Sequence, residues 1–116
     1  MYLELADREG WMHKSPLSLA AVVFLVAPHA LAAEHTVTMA GSTYEPARIN
    51  AAVGDTIRFV NDDTATHDVF VPTAGYALDL GAQEPGEEIV LTLRKAGAFE
   101  VECVFHSHML TVVEVE

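Results

Sequence analysis

The residues of this chain that are best suited to chemistry lie close together near its carboxyl end. Cys103, His106 and Met109 are spaced three residues apart and provide a thiol, an imidazole and a thioether. A second imidazole, that of His67, stands at the start of a separate segment with strand-like alternation. Cys103 is the only cysteine, so neither an intramolecular disulfide nor a multi-cysteine zinc cage can form.

Together these four side chains match one kind of metal site. A thiolate and two imidazoles in a trigonal plane, with a weak axial thioether, form the ligand set of a blue-copper electron-transfer site. Each residue also has a purely structural explanation, because free cysteine and methionine often pack in cores and a strand-end histidine can be hydrogen-bonded to a loop. The copper site is the hypothesis that accounts for all four residue types at once.

Other uses of the nearby residues stay open. We expect His108 to be exposed, although it could replace a ligand, and we expect His35 to be solvated, with N-terminal copper trapping as the alternative. In a thiol hydrolase, His106 or His108 would activate Cys103. We disfavour that reading because Cys103 is expected to face the core and no orienting Asn or Asp stands at a recognisable spacing.

The segments that must position these residues are predicted to be short β-strands. Apolar and polar residues alternate with period two, and Gly- and Asp-containing turns separate the segments. In Ala98–Val104, two glutamates point to one face, so Cys103 points inward on the other. The other predicted strands are Thr36–Met39, Ile57–Asn61, His67–Val71, Ile89–Arg94 and Leu110–Glu116, whereas Pro72–Gly86 is expected to be irregular. About seven strands and no helix indicate an all-β sandwich.

Composition and the amino-terminal third limit the class of protein. The chain has 116 residues, 51% of them hydrophobic, and a net charge of −11, which excludes a nucleic-acid binder. Residues 12–33 have a basic start, a short apolar run and an Ala-x-Ala site, which predict a secretory signal peptide. The run is shorter than the roughly 20 residues of a membrane span, although an uncleaved anchor is the alternative. Residues 1–11 are acidic and are predicted to be a start-site artefact, which leaves 34–116 as the domain.

The sequence of this domain resembles the cupredoxins, most closely the amicyanin- and plastocyanin-like small members. The resemblance extends over nearly all of residues 34–116 and lies in these motifs: Tyr44-Glu45-Pro46, Gly54-Asp55-Thr56-Ile57, Asn61-Asp62-Asp63 before His67, Pro85-Gly86-Glu87, Ala96-Gly97-Ala98-Phe99 and the Cys103-to-Met109 loop. It implies a Greek-key β-sandwich and one copper ion per chain, with His67, Cys103, His106 and Met109 as ligands.

The resemblance also implies a role. The expected function is that of a periplasmic one-electron carrier, not an enzyme, that cycles between Cu(II) and Cu(I). Its partner would be a redox protein such as a c-type cytochrome or a dehydrogenase, and the carrier itself a monomer with no lasting membrane insertion. The alternative is a copper-delivery or copper-buffering protein that uses the same ligands.

Several positions depart from the family pattern. Asp68 follows the first histidine where an asparagine is usual, and an ionised carboxylate can accept but not donate a hydrogen bond. Its charge is expected to favour Cu(II) and to lower the reduction potential. Proline is usual at Thr66, Phe105 and Ser107, and glycine at Thr111. These changes bear on the rigidity and potential of the site, not on its ligands.

Overall fold

The described residues before Glu34 differ sharply in structure from those that follow it. The computed structural model describes residues 18–28 and 30–116, so residues 1–11 and the first part of the predicted signal peptide lie outside the described residues. The described residues up to Ala33 have no regular secondary structure and are exposed. Within the described part of the chain, no helix is long and apolar enough to cross a membrane.

The rest of the chain forms two β-sheets. Nine strands are described, with the bounds β1 Glu34–Ala40, β2 Thr43–Glu45, β3 Arg48–Ala51, β4 Thr56–Asn61, β5 His67–Val71, β6 Leu78–Gln83, β7 Glu88–Thr92, β8 Gly97–Cys103 and β9 His106–Val115. One sheet has the order β2-β1-β4-β7 and the other β3-β9-β8-β5-β6. Two pairs are parallel, β1 with β4 and β3 with β9. The predicted all-β sandwich is therefore confirmed.

Nine strands form where about seven are predicted, and the additional strands are either too short or too irregular to show an alternating pattern. β2 and β3 are only three and four residues long, too short to show a periodic pattern. β6 lies inside Pro72–Gly86, which was expected to be irregular and contains Gly81 with a positive φ of 82°. The register between β5 and β6 also shifts between Asp68 and Phe70. A bulged strand does not alternate regularly, so its sequence does not look like a strand.

Alternating side chains from both sheets fill the space between them. Along β9, residues 109, 111, 113 and 115 are buried while their neighbours are more exposed, as period two requires. The buried apolar residues are Val37, Met39, Tyr44, Ile49, Ile57, Phe59, Val69, Val71, Leu93, Phe99, Val101, Cys103, Met109, Val113 and Val115. Each large one stabilises the fold by about 1.5–3 kcal/mol. This core fixes the strands on which the candidate ligands lie.

Strand direction explains why distant candidate ligands meet. β5 and β8 are antiparallel neighbours, paired at Phe70 and Glu102. The first residue of β5, His67, therefore lies at the same end of the sheet as the last residue of β8, Cys103. β8 then turns directly into β9, and Cys103 pairs with His106 across that turn. Three candidate ligands are thus held at one end of one sheet.

Candidate metal centre

Three of the four predicted ligands converge at this end of the sandwich. The Sγ atom of Cys103 lies 3.6 Å from His106 Nδ1 and 3.9 Å from His67 Nδ1. The two Nδ1 atoms are 3.2 Å apart. Cys103 and His67 are buried, and His106 is half-buried. Among the described residues, no other cluster of three histidine, cysteine or acidic side chains offers its ligand atoms this closely.

The size of this triangle fits a metal ion. The point equidistant from its three corners lies about 2.1 Å from each atom, within the range of metal–nitrogen and metal–sulfur bonds of about 2.0–2.3 Å. Two imidazole nitrogens at 3.2 Å can share at most one proton. A cation between them would instead be bound by both lone pairs and by the sulfur. The donor set therefore fits copper in both geometry and chemistry.

The turn between β8 and β9 is shorter than the sequence suggests. We predicted the last strand to begin at Leu110, whereas β9 begins at His106, so only Val104 and Phe105 connect the two strands. The backbone N–H groups of Phe105 and Asp68 donate hydrogen bonds to the Cys103 sulfur. Burial nevertheless dominates and raises the pKa of the Cys103 thiol above its usual value. A bound cation is what would favour the thiolate here.

The imidazole of His67 is held in a single orientation by a carboxylate. Its Nε2 lies 2.8 Å from Asp63 Oδ2, while its Nδ1 points at the other ligand atoms. Hydrogen bonds, first from the Ser42 backbone N–H and then from His67, lower the pKa of Asp63 to about 2. The ionised carboxylate accepts a hydrogen bond from the Nε2–H group, which places the ring proton on Nε2 and leaves the lone pair of Nδ1 to bind metal.

Asp63 lies in the loop that precedes β5 and is held there by a further hydrogen bond. Its Oδ2 also accepts the N–H of Ser42, at 2.9 Å, in the turn between β1 and β2. Asn61 is fully buried and shapes the loop, because its Nδ2 donates to the carbonyls of Ala65 and Gln83. Sequence reasoning quoted Asn61 and Asp63 only as part of a motif and missed these roles. A carboxylate four residues before a ligand histidine was the available signal.

Asp68 ties the two ligand-bearing segments together. Its Oδ1 accepts the N–H of Val104 at 2.7 Å, next to Cys103. Its backbone carbonyl accepts the phenol of buried Tyr44, whose pKa burial raises well above its usual range. The Asp68 side chain is buried, with only 4% of its surface exposed. The hydrogen bond to Val104 explains this, since the carboxylate reaches the adjacent turn instead of solvent.

The remaining candidate residues lie in different surroundings. Met109 is 1% exposed on the inner face of β9, three residues after His106. The His108 side chain is exposed, and its ring centroid is 6.2 Å from that of His106. His35 was expected to be solvated, but it is half-buried because its Nε2 lies 2.9 Å from Asp55 Oδ2. His35 is therefore not among the converging atoms.

Sequence comparison identifies the family. The pattern of the cupredoxin-like domain matches residues 16–113, which is most of the chain. The chain belongs to the cupredoxin-like family. A search of curated protein sequences finds no significant match to this cupredoxin.

Solved structures agree with the family assignment. An amicyanin variant with a methionine replaced by alanine, in its Cu(I) form, is 26% identical, with a TM-score of 0.67 over 72% of this chain and 82% of its own. A purple cupredoxin from Nitrosopumilus maritimus shares the fold at 17% identity and a TM-score of 0.65, over 71% of this chain and 99% of its own. A copper-containing nitrite reductase from Thermus scotoductus SA-01 is 26% identical with a TM-score of 0.66, over 78% of this chain but only 23% of the enzyme. The resemblance to small cupredoxins predicted from sequence is confirmed.

The contact between Asp63 and His67 gives a first prediction for this cupredoxin. We expect Asp63→Asn to weaken copper binding about 10- to 100-fold, the usual cost of losing the partner of a ligand histidine. Competition with a chelator of known affinity measures the effect. Asp62→Asn is the matched control, because Asp62 is adjacent and exposed. Equal affinities of the two variants would contradict the positioning role of Asp63.

The carboxylate of Asp68 gives a second prediction. We expect Asp68→Asn to raise the reduction potential on the order of 60 mV, a tenfold change in relative Cu(I) affinity. The amide can still accept the Val104 N–H but no longer brings a negative charge that favours Cu(II). Voltammetry measures the shift, with Asp79→Asn on exposed β6 as the control. A fall in potential, or no change, would contradict this electrostatic argument.

Proposed function

We propose that this chain is a type 1 copper protein that carries single electrons between redox partners. One copper ion would be held by His67, Cys103, His106 and Met109 and would provide a Cu(II)/Cu(I) couple. The observation that supports the proposal most strongly is the convergence of Cys103 Sγ and two imidazole Nδ1 atoms in a member of the cupredoxin-like family. We extend the proposal to export to the periplasm, on the grounds of the predicted signal peptide, and to a monomer as the expected state of a small carrier.

The frame around the ligands suits electron transfer. His67 begins β5, Cys103 ends β8 and His106 begins β9, so hydrogen-bonded strands fix all three. Asp63 orients His67, and Asp68 ties β5 to the turn after Cys103. Side chains held in this way move little when the charge of a bound ion changes. A small rearrangement is what allows electrons to transfer quickly in both directions.

The environment of Cys103 disfavours the hydrolase hypothesis. A nucleophilic cysteine needs a lowered pKa and access to its substrate. The thiol of Cys103 is only 3% exposed, and burial raises its pKa. Asp63 does orient His67, contrary to the expectation that no orienting Asp is present. The Nδ1 atom of His67 nevertheless shares a common point with the Cys103 sulfur and with His106 Nδ1, which is the arrangement of metal ligands. These features support a ligand role for Cys103.

Exposed apolar residues lie close to the half-buried His106 in the chain and suit a redox partner. Val104 is 62% exposed, Phe105 58% and Leu110 41%, and all three lie within four residues of His106. Because His106 is only half-buried whereas His67 and Cys103 are buried, its imidazole is the ligand that offers an electron a route to the surface. We infer that a partner protein docks there.

Net charge gives the next prediction, which concerns this partner. Without residues 1–33 the domain has fourteen acidic and four basic residues, a net charge of −10. This charge attracts cationic proteins from a distance, so a c-type cytochrome with a basic face is the favoured partner over a dehydrogenase. We expect its association rate to fall about tenfold between low ionic strength and 0.2 M salt, as the charges become screened. Stopped-flow reduction measures this rate, and an acidic cytochrome serves as the control. A rate that does not depend on salt would contradict electrostatic steering.

The rate at which the protein gives up copper distinguishes an electron carrier from a copper-delivery protein. A carrier must cycle between oxidation states many times without losing its metal. Spectroelectrochemistry of the copper-loaded protein should give a reversible one-electron wave, and a Cu(I) chelator should remove copper much more slowly than electrons exchange. Rapid transfer of Cu(I) to the chelator, with an irreversible wave, would contradict the carrier and favour copper delivery.

A further inference from the structure

The boundary between the leader and the domain is marked by a single residue. Ala33 is the first described residue whose backbone is bound to the domain, since its N–H donates to Asp55 Oδ1 at 2.8 Å and its carbonyl accepts the N–H of Thr56 at 3.0 Å. In the described residues before it, the backbone hydrogen bond is local, from Ala20 to Ser18. Leu31 is 93% exposed. The described residues up to Ala32 are therefore accessible, and the chain is anchored to the domain from Ala33 onward.

The carboxylate of Asp55 is suited to bind a cationic group. Its side chain is 10% exposed and also accepts the N–H of Ala52 and a hydrogen bond from His35 Nε2. The backbone hydrogen bonds and His35 lower its pKa to about 2. In the described part of the chain, no Lys or Arg pairs with Asp55, whereas Arg48 and Arg58 pair with glutamates elsewhere. This mostly buried carboxylate lacks a permanent positive partner.

The exposed residues just before Ala33 form a cleavage sequence. Ala30 and Ala32 are small residues two positions apart, the arrangement that export peptidases recognise before the bond they cut. We propose that cleavage occurs between Ala32 and Ala33, and that Asp55 binds the new α-ammonium group of Ala33. One water is consumed as the peptide bond is hydrolysed, which leaves a carboxylate on Ala32 and the ammonium on Ala33.

This position moves the predicted start of the mature chain by one residue, from Glu34 to Ala33. Cleavage after Ala33 would remove the N–H that Asp55 Oδ1 accepts and the carbonyl that Thr56 N–H contacts. Cleavage before Ala33 keeps both hydrogen bonds. It also replaces a neutral peptide N–H by an ammonium that is mostly charged at neutral pH, so the bond to Asp55 becomes an ion pair. Processing would therefore stabilise the domain.

The first test identifies the amino terminus. The whole precursor is expressed in a bacterium with a periplasm, and the exported protein is analysed by intact mass and amino-terminal sequencing. We expect the chain to begin at Ala33. A first residue of Glu34 or any other residue, or an uncleaved precursor, would overturn the proposal. No copper is needed, so the result does not depend on the proposed function.

The second test measures how much the ion pair between Asp55 and the α-ammonium group stabilises the domain. Asp55→Asn is compared with wild type in the exported protein and in the uncleaved precursor, both metal-free, by chemical denaturation. We expect the variant to raise the unfolding equilibrium constant about fivefold more in the exported protein than in the precursor. Asp62→Asn, at an exposed site, should have equal effects in both forms. An equal cost of Asp55→Asn in the two forms would overturn the ion pair.

If Asp55→Asn does not fold, chemical modification of the α-amine of Ala33 tests the same ion pair. Lys95 is the only lysine in residues 33–116, so in a Lys95→Arg protein the α-amine is the sole primary amine. Acetylation then removes the charge on Ala33 without altering Asp55. We expect the unfolding equilibrium constant to rise about fivefold on acetylation. No change would overturn the proposal.

Discussion

Replacing Cys103 by serine is expected to abolish the intense visible absorption of the copper-loaded protein. That absorption arises from charge transfer between a thiolate and Cu(II), and a hydroxyl cannot take part in it. Copper affinity should fall by more than about 100-fold. Losing a residue that is hydrogen-bonded to a ligand costs up to roughly 100-fold in affinity, and here the ligand itself is lost. Absorption spectra and chelator competition measure the two effects.

A matched variant separates loss of the ligand from disturbance of the turn. Val104→Ser introduces the same side chain at the next position, where the residue is 62% exposed. We expect this control to keep both the absorption and the affinity. If Cys103→Ser binds copper with the colour of the wild type, or if both variants lose it equally, Cys103 is not the thiolate ligand.

Replacing Met109 by glutamine is expected to keep copper but to lower the reduction potential on the order of 100 mV. Met109 is fully buried on the inner face of β9, on the same strand as His106. An amide oxygen is a harder donor than a thioether, so it stabilises Cu(II) relative to Cu(I). Voltammetry of the loaded protein measures the shift.

The leucine variant provides the control for this prediction. Met109→Leu preserves the apolar volume in the core but removes the donor atom. Without an axial donor, Cu(II) loses more stabilisation than Cu(I), so the potential should rise. Shifts of opposite sign are thus expected for Gln and Leu. If both variants shift the same way, or if neither shifts, Met109 is not an axial ligand.

The strands that carry His67 and Cys103 could be predicted because their alternation is regular, whereas the start of β9, with His106 and Met109, was expected to be a loop. His67–Val71 was predicted with the bounds that β5 has, and Cys103 was placed inward at the end of its strand, where it is buried. Two outward glutamates near Cys103 set that register. The structure therefore brings His67, Cys103 and His106 together, as the sequence pattern predicts.

The hydrogen bonds that hold the ligand side chains were not predicted, because most of them depend on the tertiary fold, and only the four-residue spacing of Asp63 and His67 hints at one of them. Asp63 reaches His67 only because the loop after β4 folds back, and Ser42 in another turn holds the same carboxylate. Asp68 is buried because the turn after Cys103 lies next to it. His35 meets Asp55 because β1 and β4 pair in parallel, a pairing between strands that are distant in sequence.

Titration of the metal-free exported protein with Cu(II), followed by visible absorption, would show whether these side chains form a type 1 copper site. We expect an intense band that grows linearly and saturates at one copper per chain, since three ligand atoms converge around one point. A weakly coloured product, or saturation at another stoichiometry, would be the opposite result. In either case the converging atoms of His67, Cys103 and His106 would not form a type 1 copper site.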